Sequence, residues 1–182
     1  MAKTTTIYQL KITLAHIKPP IWRRVQAPDC SLERLHEIIQ LSVGWQFSHL
    51  WEFDVGGQHY GLDPSGELDF ERADRMKLCQ LVAAGVKKFK YTYDFGDTWE
   101  HLIAFEKSRA PEPKVKYPRC VAGERAGPPE DCGGPWGYGD FVDAVQDPRH
   151  ERHEELLEWI GGEFDAEAFD PEAVNKELAG LR

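Results

Sequence analysis

The chain has 182 residues, with 22 Lys plus Arg against 31 Asp plus Glu for a net charge of −9, and 41% of it is apolar. A chain of this size buries about 70% of its unfolded surface, and its composition excludes disordered and collagenous classes. No run approaches the roughly 20 apolar residues of a membrane span; the start Met-Ala-Lys-Thr-Thr-Thr lacks the apolar core of a signal peptide. A single domain over residues 1–182, cytoplasmic and without a membrane partner, is the expectation.

Residues 7–16 alternate, with Tyr8, Leu10, Ile12 and Leu14 on one face, which predicts a half-buried strand. Pro19-Pro20 breaks it, and Ile21–Val25 predicts a second strand. From Ser31 the period becomes helical: Leu32, Leu35, Ile38, Ile39 and Val43 make one stripe, Ser31 caps the start and Gly44 supplies the stop. His36 and Gln40 fall on the polar side of that helix. Leu50–Val55, Gly56-Gly57 and Gln58–Tyr60 predict a hairpin, Asp63–Gly66 a loop, and Met76–Ala84 a short helix. Phe89–Phe95 and Trp99–Phe105 alternate on either side of Gly96-Asp97, a second hairpin.

Half of the 12 prolines lie between residues 108 and 139, which reads as a Pro/Gly-rich loop following the β-rich residues 1–107. Its beginning holds the one locally basic stretch, Lys107, Arg109, Lys114, Lys116 and Arg119. Residues 140–182 are helical in pattern, with Asp140 and Asp170 as N-caps, and carry 13 acidic against 4 basic side chains, whereas residues 1–139 balance at 18 and 18. Strands first and helices last give an α+β fold: a curved, mostly antiparallel sheet packed by helices, ending in an acidic helical segment.

The string Tyr93-Asp94-Phe95-Gly96-Asp97-Thr98-Trp99-Glu100-His101, then Pro128 to Gly134, Gly137-Tyr138, Phe164-Asp165, Phe169-Asp170 and Val174-Asn175, resembles the plasmid pRiA4b ORF-three-like family. Trp22-Arg23-Arg24, Leu35-His36, Gly44-Trp45 and His49-Leu50-Trp51 extend the resemblance from about residue 5 to the C-terminus. It implies a compact α+β domain of unknown function; some members are labelled TnpR-type mobile-element proteins. A serine recombinase needs a nucleophilic serine amid arginines and a basic DNA-binding module, and this chain has neither an appended helix-turn-helix nor excess positive charge.

Four groups of residues can carry chemistry. Asp94, Asp97 and His101 on the second hairpin, with Glu130 and Asp131 if the Pro-Pro-Glu-Asp loop folds over it, can bind a hard divalent cation or serve as an acid–base pair. Asp residues flanking a Gly turn also hold the turn themselves. Cys120 and Cys132, spaced too widely for a zinc knuckle, can ligate zinc only with help from His49, His101 or Asp131. Trp136 and Tyr138, in the Gly-rich stretch, are candidates for ligand contact. His150 and His153 share a helical face. The leading reading is a binding or interaction module, followed by a metal-dependent hydrolase using Asp94, Asp97 and His101, then a nucleic-acid accessory factor using residues 107–119. No cofactor is required by the sequence; a divalent metal is the one it admits.

Overall fold

Period-two alternation yields strands wherever it occurs, and pairing between them is mostly antiparallel. The computed structural model describes residues 5–63, 66 and 68–181; Pro64 and Ser65 of the expected 63–66 loop lie outside the described residues. The elements run β1 (Ile7–Leu14), β2 (Trp22–Pro28), α1 (Leu32–Val43), β3 (Trp51–Val55), β4 (Gln58–Gly61), β5 (Glu71–Arg72), α2 (Leu78–Ala83), β6 (Lys88–Tyr93), β7 (Trp99–Arg109), β8 (Arg119–Glu124), α3 (Gly134–Gln146), α4 (His153–Ile160) and α5 (Pro171–Leu178). The strands form one sheet in the order β5-β4-β3-β6-β7-β1-β2-β8, parallel at β4–β5 and antiparallel elsewhere.

Register fixes which residues share a face. Ile12 lies opposite Ile103 and Leu14 opposite His101; Tyr91 lies opposite His101 and Tyr93 opposite Trp99; Trp51 and Phe53 continue the face on β3. This face is buried under α1 and α3. Ser31 caps α1 by accepting from the Arg34 N–H, and Gly44 closes it in the left-handed region.

Two residues of α1 depart from the expected polar side. His36 is 6% exposed and Gln40 fully buried, because Tyr91 projects its hydroxyl from β6 into the helix. Gln40 Nε2 donates to that hydroxyl (3.0 Å), and the hydroxyl in turn pairs with His36 Nδ1 at 2.7 Å. The imidazole stacks on Trp51 with centroids 4.1 Å apart. A neutral ring can take the Tyr91 proton at Nδ1 while the Tyr91 oxygen accepts from Gln40. Burial lowers the His36 pKa to about 3.

The opposite face carries a polar ladder. Arg119 Nε donates to Gln26 Oε1 (2.7 Å), Gln26 Nε2 to Gln9 Oε1 (2.8 Å) and Gln9 Nε2 to Glu106 Oε2 (2.7 Å). Arg24 closes it with two bonds to Glu106. These are buried or partly buried amides, and each finds its partner on the adjacent strand.

Three sequence expectations are corrected. The 108–139 stretch is not all loop: Arg119–Glu124 pairs with β2 as the edge strand β8, and Gly134 already begins α3. Trp136 and Tyr138 therefore stand on a helix. Asp140 lies inside α3 rather than capping it, whereas Asp170 does cap α5, accepting from the Glu172 N–H.

The free edge of β8 is covered locally by a side chain. Asn175 of α5 accepts from the Cys120 N–H (2.7 Å) and donates to the Cys120 carbonyl (2.9 Å), pairing as a neighbouring strand would. Asn175→Ala is expected to lower the unfolding free energy by about 2 kcal/mol, two partly buried hydrogen bonds, read from the shift in urea midpoint.

Candidate functional site

The tip of the β6–β7 hairpin is held by its own carboxylate, as Asp residues beside a Gly turn do. Asp94 has φ of +59°, its Oδ1 accepts from the Gly96 N–H (2.9 Å), and its carbonyl accepts from Thr98 (2.6 Å). Asp97 instead reaches out of the turn. Its Oδ2 accepts from the Gly133 N–H (3.2 Å), joining the hairpin to the start of α3. A Cβ on Gly134 would stand 2.3 Å from the Asp97 carbonyl oxygen, and Gly134 has φ of +67°, so only glycine permits this approach.

The Pro-Pro-Glu-Asp loop thus folds onto the hairpin. Trp45 Nε1 donates to the Pro128 carbonyl (2.8 Å). Tyr93, whose hydroxyl accepts the backbone N–H groups of Ser48 (2.9 Å) and His49 (3.3 Å), donates to Glu130 Oε1. Glu130 Oε2 accepts from the Gln46 N–H (3.1 Å). Burial, reinforced by Glu130, pushes the Tyr93 pKa well above its ordinary value. Glu130 is therefore the clamp that fixes the turn carrying His49.

That turn places His49 between two carboxylates. Its Nε2 stands 3.0 Å from Asp131 Oδ1 and 3.7 Å from Asp94 Oδ2, with the ring edge-on to Tyr93. Among the described residues this is the group of His, Cys, Asp and Glu whose ligand atoms gather within 4.8 Å of one another. Metal–ligand bonds of about 2.0–2.2 Å put neighbouring ligand atoms roughly 3–4 Å apart, so the observed spacing suits one ion. One imidazole and two carboxylates fit zinc or manganese better than calcium, and leave coordination positions open.

The other candidates lie elsewhere. His101 is 1% exposed, beneath the edge of Trp45; its Nδ1 bonds the carbonyls of Trp99 (3.0 Å) and Tyr91 (3.3 Å). Burial lowers its pKa to about 4. Cys120 sits on β8 against Asn175, and Cys132 precedes α3; both are free thiols, and burial pushes Cys132 up to about 12. Trp136 is 80% exposed and stacks on His16, centroids 5.6 Å apart. Tyr138 is buried beside Trp99 and Phe141. His153 Nδ1 pairs with the Ala144 carbonyl and His150 Nδ1 accepts from the Arg152 N–H, so each anchors backbone. Arg109 and Arg119 both bridge to Glu112, which leaves lysines as the exposed cations of the 107–119 stretch.

The sequence pairs Asp94 with Asp131 in one candidate group and offers His49 or Asp131 as zinc ligands in another; the fold brings His49, Asp94 and Asp131 into one cluster. The hydrogen-bonding part played by Tyr93 has no signal in the sequence, where its alternation marks an aromatic for packing or for lining a groove. The pattern of residues 150–160, with Leu156, Leu157, Trp159 and Ile160 before Gly161-Gly162, does predict α4, but not the cleft across which Arg152, Glu155, Leu156 and Trp159 face α3 and which Asp131 and Cys132 border.

Fold and site together define an open-sheet α+β domain with an imidazole–carboxylate cluster at the tip of a central hairpin. The chain belongs to the plasmid pRiA4b ORF-3-like protein family, whose sequence model matches residues 6–173. The uncharacterized protein y4hQ of Sinorhizobium fredii is similar, 41% identical over 182 residues that cover 97% of this chain and 92% of that protein. A crystal structure of a protein of unknown function, MM3350 from Methanosarcina mazei Go1, matches with a TM-score of 0.85 at 36% identity, covering 93% of this chain and 98% of that one. No helix among the described residues is long and apolar enough to cross a membrane.

Proposed function

We propose that this protein is a binding module that holds a divalent cation between His49, Asp94 and Asp131 and offers the ion's open positions to a ligand. The observation that supports it is the meeting of three ligand-type side chains from three separated segments, with Nε2 of His49 3.0 and 3.7 Å from the two carboxylates. Three protein ligands are also the number found at hydrolytic zinc centres, which favours metal-dependent hydrolysis as the second reading. A general base is harder to find: Glu130 is engaged by Tyr93 and Gln46, and His101 is buried with its Nδ1 on backbone carbonyls. Binding is therefore the better-supported function.

The test is calorimetric titration of metal-stripped protein with zinc, manganese and magnesium. Wild type is expected to bind zinc or manganese, and at about 100 times Kd the folded state gains about 2.7 kcal/mol, visible as a raised Tm. Asp131→Asn and His49→Ala are expected to abolish that rise; the Asp131 side chain is 67% exposed, so its replacement leaves packing intact. Equal binding by wild type and Asp131→Asn, or no binding of any of the three ions at millimolar concentration, overturns the proposal.

A further inference from the structure

The cleft between α3 and α4 has a volume of about 400 Å³, within the range of small-molecule sites. Its wall is apolar: Phe141 and Leu156 are buried at 3% and 8%, while Trp159 is 46% exposed, its ring edge-on to Phe141 with centroids 5.8 Å apart. The charges around it are unequal in availability. Arg152, the cation at the cleft, is committed to Glu155 through Nη2 (2.9 Å) and Nε (3.3 Å), and this pairing lowers the Glu155 pKa. Asp140, also on the lining, has no partner among the described residues. The segment to which Asp140, Arg152 and Glu155 belong, residues 140–182, carries 13 acidic against 4 basic side chains in all.

An anionic ligand would face Asp140 and Asp131 with the one guanidinium already neutralised. A neutral apolar ligand would leave the free carboxylate unused. We propose that the cleft binds a small organic cation with an apolar body, such as an arylalkylamine: its ring lies against Trp159, Phe141 and Leu156, and its ammonium turns toward Asp140. The exposed indole contributes twice, as apolar surface and as a π-face that attracts cations. This site is distinct from the cation cluster, although Asp131 borders both, and it requires no metal.

Tryptamine and indole-3-propionic acid share a ring and differ in the sign of the charge, so the pair separates charge recognition from simple apolar burial. Both are titrated into full-length protein in EDTA by calorimetry and saturation-transfer NMR, so that the cluster at His49 plays no part. Tryptamine is expected to bind about tenfold tighter than the acid, a difference of about 1.4 kcal/mol. Asp140→Asn and Trp159→Ala are each expected to weaken tryptamine about threefold or more, the scale of one charge or cation–π contact. Trp159→Phe, which keeps an aromatic wall, is expected to retain most of the affinity, and this guards against a folding defect in the alanine variant. Equal affinity for the two probes, tighter binding of the acid, no binding of either at millimolar concentration, or an Asp140→Asn variant that binds tryptamine as wild type does overturns the proposal.

Discussion

Lowering the pH from 7 to 5 is expected to remove about 4 kcal/mol of unfolding free energy, most of it through His36 and His101. Both rings are neutral in the fold, with pKa values lowered by burial to about 3 and about 4, whereas an unfolded histidine titrates near 6.5. Folded pKa values below the unfolded one mean that the unfolded chain takes up protons first as acid is added. The stability is thus fully present above about pH 6.5 and declines below it by about 1.4 kcal/mol per pH unit for each ring, until each folded pKa is reached. At pH 5 the loss hardly depends on where those folded values lie, since both are well below 5. Urea unfolding at pH 7, 6 and 5 measures it. A change under about 1 kcal/mol over that range would show that the rings are not buried as neutral species. His36→Phe should roughly halve the slope whatever it does to stability at pH 7, because slope counts protons rather than contacts. The lowered carboxylates Glu106 and Glu155 act in the same direction, but only below about pH 4.5.

Replacing Arg23 by Met is expected to cost about 3–5 kcal/mol. This arginine is 3% exposed and meets carbonyls in place of a carboxylate: Nε donates to Ser42 O (2.8 Å), and Nη1 to Trp22 O and Glu124 O (2.9 Å each). Ser42 lies in the last turn of α1, where the helix presents unpaired carbonyls and favours a positive charge. Phe169 lies over the guanidinium at 4.5 Å. Burial lowers its pKa to about 10, so it stays charged at neutral pH. Methionine fills the volume and leaves the carbonyls without their donors. Arg23→Lys is expected to recover less than half of the loss, because an ammonium is a point charge that cannot reproduce the fork. Chemical unfolding of the three proteins at pH 7 gives the comparison; a Met variant within 1 kcal/mol of wild type would mean that the carbonyls find other partners.

The hairpins and α1 were legible because their apolar residues recur with the right period and their ends carry Ser31, Gly44, Gly56-Gly57 and Gly96. β8 was not, since Arg119–Glu124 pairs on one side only and has no clear alternation. The first turns of α3 read as loop because Gly-Pro-Trp-Gly-Tyr-Gly is a poor helix former; burial of Tyr138 and Phe141 overrides that preference. His36 and Gln40 look solvated until β6 supplies the Tyr91 hydroxyl. The site shows the same limit. Histidine and aspartates at positions 49, 94 and 131 carry visible chemistry, but their meeting depends on β3 pairing with β6 and on Gly133 docking at Asp97, which are long-range facts.

The amide ladder across β8, β2, β1 and β7 has a further consequence. Every link donates in one direction, from the arginine at one end to the glutamate at the other, so each amide has a single orientation in which the chain closes. Side chains alternate between faces, and sliding β1 or β2 by one residue would carry Gln9 or Gln26 to the apolar side, with Tyr8 or Leu10, or Val25 or Ala27, turned into the polar row. Buried glutamines that must find each other across a strand boundary act as a register lock. They discriminate against the mispaired sheets that an alternating pattern, by itself, would tolerate.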